Sequence, residues 1–87
     1  MQIVDVRRPA EYENGHVPHA QNAPLASLDK SLGPLSLEKD KVTAVICAGG
    51  YRSSAAASLL RQQGFSNLLN VTGGTGAWIN AGYTIER

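Results

Sequence analysis

The sequence predicts a small α/β sandwich built on a central, mainly parallel sheet of four to five strands. Three observations point there. Short β-branched runs, Ile3-Val4-Asp5-Val6 and Val42-Thr43-Ala44-Val45-Ile46, alternate with segments of helical spacing, the order that gives parallel strands joined by right-handed crossovers. The second run is apolar on both faces, as a strand covered on two sides must be. The 87 residues, 43% hydrophobic and 17% charged, suffice for one compact core and no second domain.

Each element has a local reason. After the first strand, Pro9 suits the opening turn of a helix, where its missing N–H would be unpaired anyway. Glu11 and Glu13 favour the positive end of that helix, and Asn14-Gly15 stops it. His16-Val17-Pro18-His19 is a turn, followed by an extended piece from Ala20 to Ala23 that Pro24 ends. Leu25, Leu28 and Leu32 keep helical spacing, but Gly33-Pro34 breaks it, so Leu25 to Lys41 stays open between helix and loop. Beyond the strand Val42 to Ile46 comes a glycine-bearing loop, Cys47 to Arg52, and then a helix from Ser53 to Gln63. Its stripe is Ala56, Leu59, Leu60 and Gln63, with Gly64 at the C′ position and Phe65 as hydrophobic follower. Leu68 to Val71 makes a further strand, and Gly73-Gly74 opens a last helix carrying Ala77, Trp78 and Ala81.

Composition narrows the function classes. A net charge of +1 gives no basic excess to hold nucleic acid or an anionic membrane. The longest apolar run, Ala44 to Ala48, is far short of the ~18–20 residues of a membrane span. No charged-then-apolar leader opens the chain. One cysteine forms no internal disulfide, and one Cys with two His supplies no familiar zinc spacing. The expectation is a reduced, cytoplasmic protein without metal or cofactor.

The chemistry-bearing stretch is Cys47-Ala48-Gly49-Gly50-Tyr51-Arg52-Ser53. Cys47 falls at the end of the most apolar strand and just before a helix, and ligands of open parallel sheets gather at that edge. The unpaired amides of a helix's first turn favour an anion, so a thiol there ionises more readily than a free one with pKa about 8.5. Gly49 and Gly50 let the loop curl its N–H groups toward one point. Arg52 adds a planar fork of donors suited to an oxyanion or a charged sulfur. The plain alternative is an inert, interior thiol, with Arg52 an ordinary surface charge and Gly49-Gly50 an ordinary turn. The conjunction favours chemistry. As a loop residue, Cys47 is expected to contribute little packing.

Other features read more plainly. Gly73-Gly74-Thr75-Gly76 lacks the Lys-Ser/Thr ending of a phosphate loop and the spacing of a dinucleotide fold, so it is a tight turn into the last helix. His16 and His19 have no carboxylate at helical spacing and take turn roles. Trp78 fills core, since no basic cluster accompanies it. Arg7 and Arg8 form a solvated surface or contact Asp5 or Glu11.

Four segments together resemble the rhodanese domain family. Val4-Asp5-Val6-Arg7, then Glu11-Tyr12 and Gly15-His16-Val17-Pro18-His19-Ala20-Gln21-Asn22, is similar to the family's opening signature; Cys47 to Ser53 resembles its active-site loop; Gly73-Gly74, Ala77-Trp78 and Ala81-Gly82-Tyr83 resemble its closing one. Family members normally carry a strand and helix ahead of the Asp-Val-Arg strand. This chain begins at that strand, which suggests a fragment or one module of a longer protein. The Ala-Gly-Gly-Tyr loop core looks most like rhodanese modules fused behind a metallo-β-lactamase-type domain.

The resemblance implies a sulfurtransferase. Cys47 would take sulfur from thiosulfate or a low-molecular-weight persulfide such as glutathione persulfide, and a thiol, sulfite or cyanide would remove it. Ala48, Gly49, Gly50, Tyr51, Arg52 and Ser53 would bind the substrate. Two alternatives stand beside it. Tyrosine-phosphatase-type signatures place five residues between Cys and Arg, whereas four intervene here, a ring that suits one sulfur atom better than a phosphoryl group; arsenate reductase falls with phosphatase. A non-catalytic rhodanese-like interaction module is the other, and many of those lose the cysteine retained here.

Overall fold

A computed structural model describes residues 2–31, 35, 37–48, 51–71, 73–83 and 85–86, with the side chains of all but Asp29, Ser31 and Tyr51. Among these, four strands form one sheet: β1 (Gln2–Asp5), β2 (Gln21–Asn22), β3 (Thr43–Ile46) and β4 (Leu68–Asn70). Their spatial order is β2-β1-β3-β4, and every adjacent pair is parallel. Helices α1 (Pro9–Glu13), α2 (Leu28–Ser31), α3 (Tyr51–Gln62) and α4 (Gly74–Asn80) lie between and after them, and a 3₁₀ turn, Leu25–Ser27, leads into α2. This is the α/β architecture expected from the alternating pattern.

Strand alternation divides the core in two. Val4, Val6, Val45 and Cys47 face one side, where Leu28 of α2, Ala56 and Leu60 of α3 and Phe65 close over them. Ile46 faces the other with Val17 and Ala20, and Ile3, Tyr12 of α1 and Trp78 of α4 pack there. The two clusters on opposite faces of the sheet make the three layers. β1 and β3 are central and paired over four residues, so their carboxyl ends stand side by side, with the Val6 amide donating to the Ile46 carbonyl at 2.9 Å.

Three local details refine the sequence expectations. The segment from Leu25 resolves into a 3₁₀ turn and a single turn of α-helix, while Leu32, Gly33 and Pro34 lie outside the described residues. Helix α3 begins at Tyr51, two residues earlier than expected, so Arg52 belongs to its first turn. Its buried stripe is Ser53, Ala56 and Leu60; Leu59 is 41% exposed and Gln63 is exposed as well, because they sit away from the sheet. At its end, the Phe65 amide donates to the Leu60 carbonyl and the Gly64 amide to the Arg61 carbonyl, both at 3.1 Å. Gly64 has φ +102°, and Phe65 joins Leu60 in the core: a Schellman motif, as the Gly-Phe pair predicts.

Arg7 is not on a solvated surface. It is buried, pairs with Asp5 through Nε at 3.0 Å and Nη2 at 2.8 Å, and donates to the Gly15 carbonyl at 2.8 Å. The pair thereby joins the end of β1 to the end of α1, and each charge offsets the other's loss of water.

Candidate functional site

The carboxyl edge of the sheet collects the chain's polar groups. Cys47 follows β3 directly and is 1% exposed, in contact with the cluster that includes Val4, Val45 and Leu60. The expectation of little packing is therefore corrected: the thiol is part of the core. Its sulfur donates to Ser53 Oγ at 3.7 Å. Ser53, fully buried one turn into α3, donates in turn to Asn70 Oδ1 at the end of β4, and Asn70 Nδ2 donates to Ser54 Oγ at 2.7 Å. A hydrogen-bonded path thus runs from the sulfur through a buried hydroxyl to an amide at the surface.

Arg52 is not an isolated cation. Its Nη1 and Nη2 donate to Glu11 Oε1 and Oε2 at 2.6 and 2.9 Å, and Glu11 Oε1 also accepts the Arg8 amide at 3.1 Å. The Arg52 hydrogen bond holds the Glu11 carboxyl at about 2, well below the ordinary 4.5, despite some opposing desolvation. The same bond raises Arg52 further. Glu11 is a carboxylate throughout the physiological range, so the pair is neutral as a unit. The positive end of α3, which has no acidic residue in its first turn, has this acid supplied from α1 instead.

The last helix braces the loop from beneath. The Thr75 amide donates to the Cys47 carbonyl at 2.7 Å and the Gly76 amide to the Ala48 carbonyl at 3.1 Å. This contact needs glycine before it: Gly74 has φ +58°, and a Cβ there would lie 2.0 Å from the Cys47 oxygen. The segment is a tight turn, as expected, and it is also a buttress of the cysteine loop. Thr75 is 2% exposed, and its hydroxyl has no hydrogen-bond partner among the described residues.

Of the candidates, Cys47, Ala48, Tyr51, Arg52 and Ser53 fall together at the β3–α3 junction. Gly49 and Gly50 lie outside the described residues, and so does the curl of their amides. His16 and His19 stand apart. His16 stacks on Tyr12 with ring centroids 3.7 Å apart, donates from Nδ1 to the Tyr12 carbonyl and exchanges backbone bonds with Glu86, while His19 adopts φ 69° in the turn. Both are structural. Sequence reasoning missed Glu11, Asn70 and Thr75 as neighbours of the site. Glu11 is 41 residues from Arg52 in the chain, and only its place in the opening signature hinted at it.

Comparison with known proteins places the chain in one family. Residues 1–81 match the profile of the Rhodanese-like domain. A sulfurtransferase of Allochromatium vinosum is 35% identical over 83 residues, 95% of this chain and 76% of its own length. The thiosulfate sulfurtransferase GlpE of Shewanella oneidensis is 35% identical over 81 residues, 93% of this chain and 78% of its own. Two Bacillus subtilis relatives, 37% and 36% identical, are longer, and the chain spans only 41% and 60% of them. Among solved structures, the Rhodanese_3-like domain of Anabaena sp. Alr3790 superposes with a TM-score of 0.88 at 35% identity, covering 100% of this chain and 99% of that one. RPA3614 of Rhodopseudomonas palustris, described as a protein of unknown function and possible tyrosine phosphatase, superposes at 0.83 with 35% identity, covering 98% of this chain and 70% of that one.

Proposed function

We propose that this chain, which belongs to the rhodanese-like domain family, is a sulfurtransferase that carries sulfur on Cys47. The observation that carries the reading is the retained cysteine at the carboxyl end of the central strand β3, four residues before α3 and within a family whose relatives include sulfurtransferases. In the first half-reaction the Cys47 thiolate attacks the outer sulfur of thiosulfate. The S–S bond breaks, its electron pair leaves with sulfite, and Cys47–S–S⁻ remains. In the second, cyanide, sulfite or a thiolate attacks the terminal sulfur, and the Cys47 thiolate departs with the electron pair of the broken bond. A persulfide donor gives the same intermediate and releases its thiolate. No cofactor enters either step.

The roles of the other residues follow from this reading. In this reading Ala48, Gly49, Gly50 and Tyr51 bind the substrate sulfur, whose charge the amino end of α3 stabilises. Ser53 accepts the hydrogen bond of the Cys47 thiol through Oγ. Arg52, gripped by Glu11, holds the end of the loop in place and presents its remaining donors to the anionic donor. The 87 residues act as one rhodanese-like domain in a reducing cytoplasm, where the lone cysteine stays a thiol, and the greater length of the Bacillus relatives is in keeping with its use as a module of a longer protein.

One observation favours a second reading. Burial of Cys47 to 1% suits a non-catalytic interaction module in which the cysteine only fills space. Intact mass after incubation with thiosulfate or glutathione persulfide separates the two. A gain of one sulfur, reversed by cyanide and absent from Cys47→Ser, is the expected result; an unchanged mass on folded protein supports the module. Hydrolysis of p-nitrophenyl phosphate by the same protein would instead support a phosphatase.

A further inference from the structure

At the carboxyl edge of the sheet, beside the Cys47 loop, a cleft of about 260 Å³ opens between the segments that follow β1 and β2 and the first turn of α3. Val6, Pro24 and Leu25 give it apolar walls, and Arg8 and Arg52 reach it from two sides. The two arginines are not equivalent. Arg52 is engaged by both carboxylate oxygens of Glu11, whereas the exposed Arg8 uses only its backbone amide on that carboxylate and its guanidinium has no ion-pair partner among the described residues. Val6 and Leu25 pack against the same cluster as Cys47, so the cleft adjoins the sulfur's side of the sheet.

Resting on the sulfur-transfer reading above, we infer that this cleft holds the organic arm of a small carboxylate-bearing persulfide, with Arg8 taking the carboxylate. The chemistry of the walls selects the occupant. Thiosulfate has no apolar surface to set against Val6, Pro24 and Leu25. A short aliphatic thiol covers them, and its carboxylate meets the Arg8 guanidinium, which has no ion-pair partner among the described residues. The volume accommodates the arm of a small thiol, being below the ~300–1,000 Å³ of drug-sized pockets. Transfer then runs as R–S–S⁻ plus Cys47–S⁻ giving Cys47–S–S⁻ plus R–S⁻, with the arm R held by the cleft as its thiolate leaves.

The test compares N-acetylcysteine persulfide with its methyl ester, the same arm without the charge, as donors to the whole chain with sulfite as acceptor. The acid is expected to exceed the ester in kcat/KM by about tenfold, the scale of one charge-assisted pair. Arg8→Ala should collapse that ratio toward one, and Arg8→Lys should restore most of it. An acid-to-ester ratio that is the same in wild type and Arg8→Ala overturns the inference. Binding is read separately by titrating S-methyl-N-acetylcysteine into Cys47→Ser and following the amide resonances of Val6 and Leu25. Loss of those shifts in the Cys47→Ser/Arg8→Ala protein supports the cleft even if no donor ever charges Cys47, a result that would sink the sulfur-transfer reading alone. Shifts indifferent to Arg8 sink the cleft.

Discussion

Gly74 approaches Cys47 so closely that a single added methyl carbon would lie 2.0 Å from the cysteine's carbonyl oxygen. The amino end of α4 thereby delivers the Thr75 and Gly76 amides to two consecutive carbonyls of the cysteine loop. The closing Gly-Gly signature and the cysteine loop are thus one piece of structure, although Cys47 and Gly74 are 27 positions apart in the chain. Gly74→Ala should unseat both amide contacts and force φ +58° on a residue with a Cβ. We expect a loss of about 2 kcal/mol or more in urea denaturation, with sulfur transfer reduced in the protein that remains folded. A variant of unchanged stability would show that the contact gives way freely.

Thr75 carries a buried hydroxyl with no hydrogen-bond partner among the described residues. Thr75→Val keeps the shape and removes the orphaned group, so it should raise stability by about 1 kcal/mol. Thermal and urea melts of the two proteins measure this directly. A clear decrease would mean that the hydroxyl is satisfied in solution.

Cys47 sits in the core, so its removal has a structural effect as well as a chemical one. Cys47→Ala should abolish transfer and also cost about 1 kcal/mol through the small cavity it leaves. Cys47→Ser, closer in volume, is the better inactive control for shape, although it places a hydroxyl among apolar side chains. If Cys47→Ala melts with wild type, the burial seen here does not contribute to stability.

Ser53 and Asn70 act as a unit between the sulfur and the surface. Asn70→Ala removes the side-chain oxygen that accepts from the buried Ser53 hydroxyl, and Ser53→Ala removes the hydroxyl itself. A double-mutant cycle should therefore show about 1 kcal/mol of coupling, with the double variant more stable than the sum of the single changes predicts. Strict additivity would mean that the two side chains do not depend on each other.

Glu11 supplies an acid-dependent element. Its folded pKa of about 2 lies below the ordinary 4.5, so the Arg52 pair stabilises the fold fully above 4.5 and loses that contribution as pH falls toward 2. Glu11 and Arg52 are both partly open to water, so the effect is small, within the range of surface ion pairs. Melting temperatures of wild type should fall across that window more steeply than those of Glu11→Gln. Parallel acid profiles would place the stabilisation elsewhere. Gly50→Val addresses the loop itself: lost transfer with native circular dichroism is expected, and normal transfer would remove the inward curl from the mechanism.

Much of this protein could be read along the chain because the relevant physics is local. The β-branched runs, the Pro9 start and Asn14-Gly15 stop of α1, the Gly64-Phe65 end of α3 and the position of Cys47 after an all-apolar strand depend on a few neighbouring residues each. Tertiary structure alone decided which groups meet. It brought Glu11 to Arg52, Asn70 to Ser53 and the α4 amides to the Cys47 and Ala48 carbonyls, contacts between residues 17 to 41 positions apart that no periodicity encodes. It also turned Arg52 from a free cation into half of a neutral pair and left Arg8, which has no ion-pair partner among the described residues, beside the cleft. Charge and burial at the site are properties of a packed neighbourhood, and the parallel sheet assembles that neighbourhood by setting the ends of β1, β3 and β4 side by side.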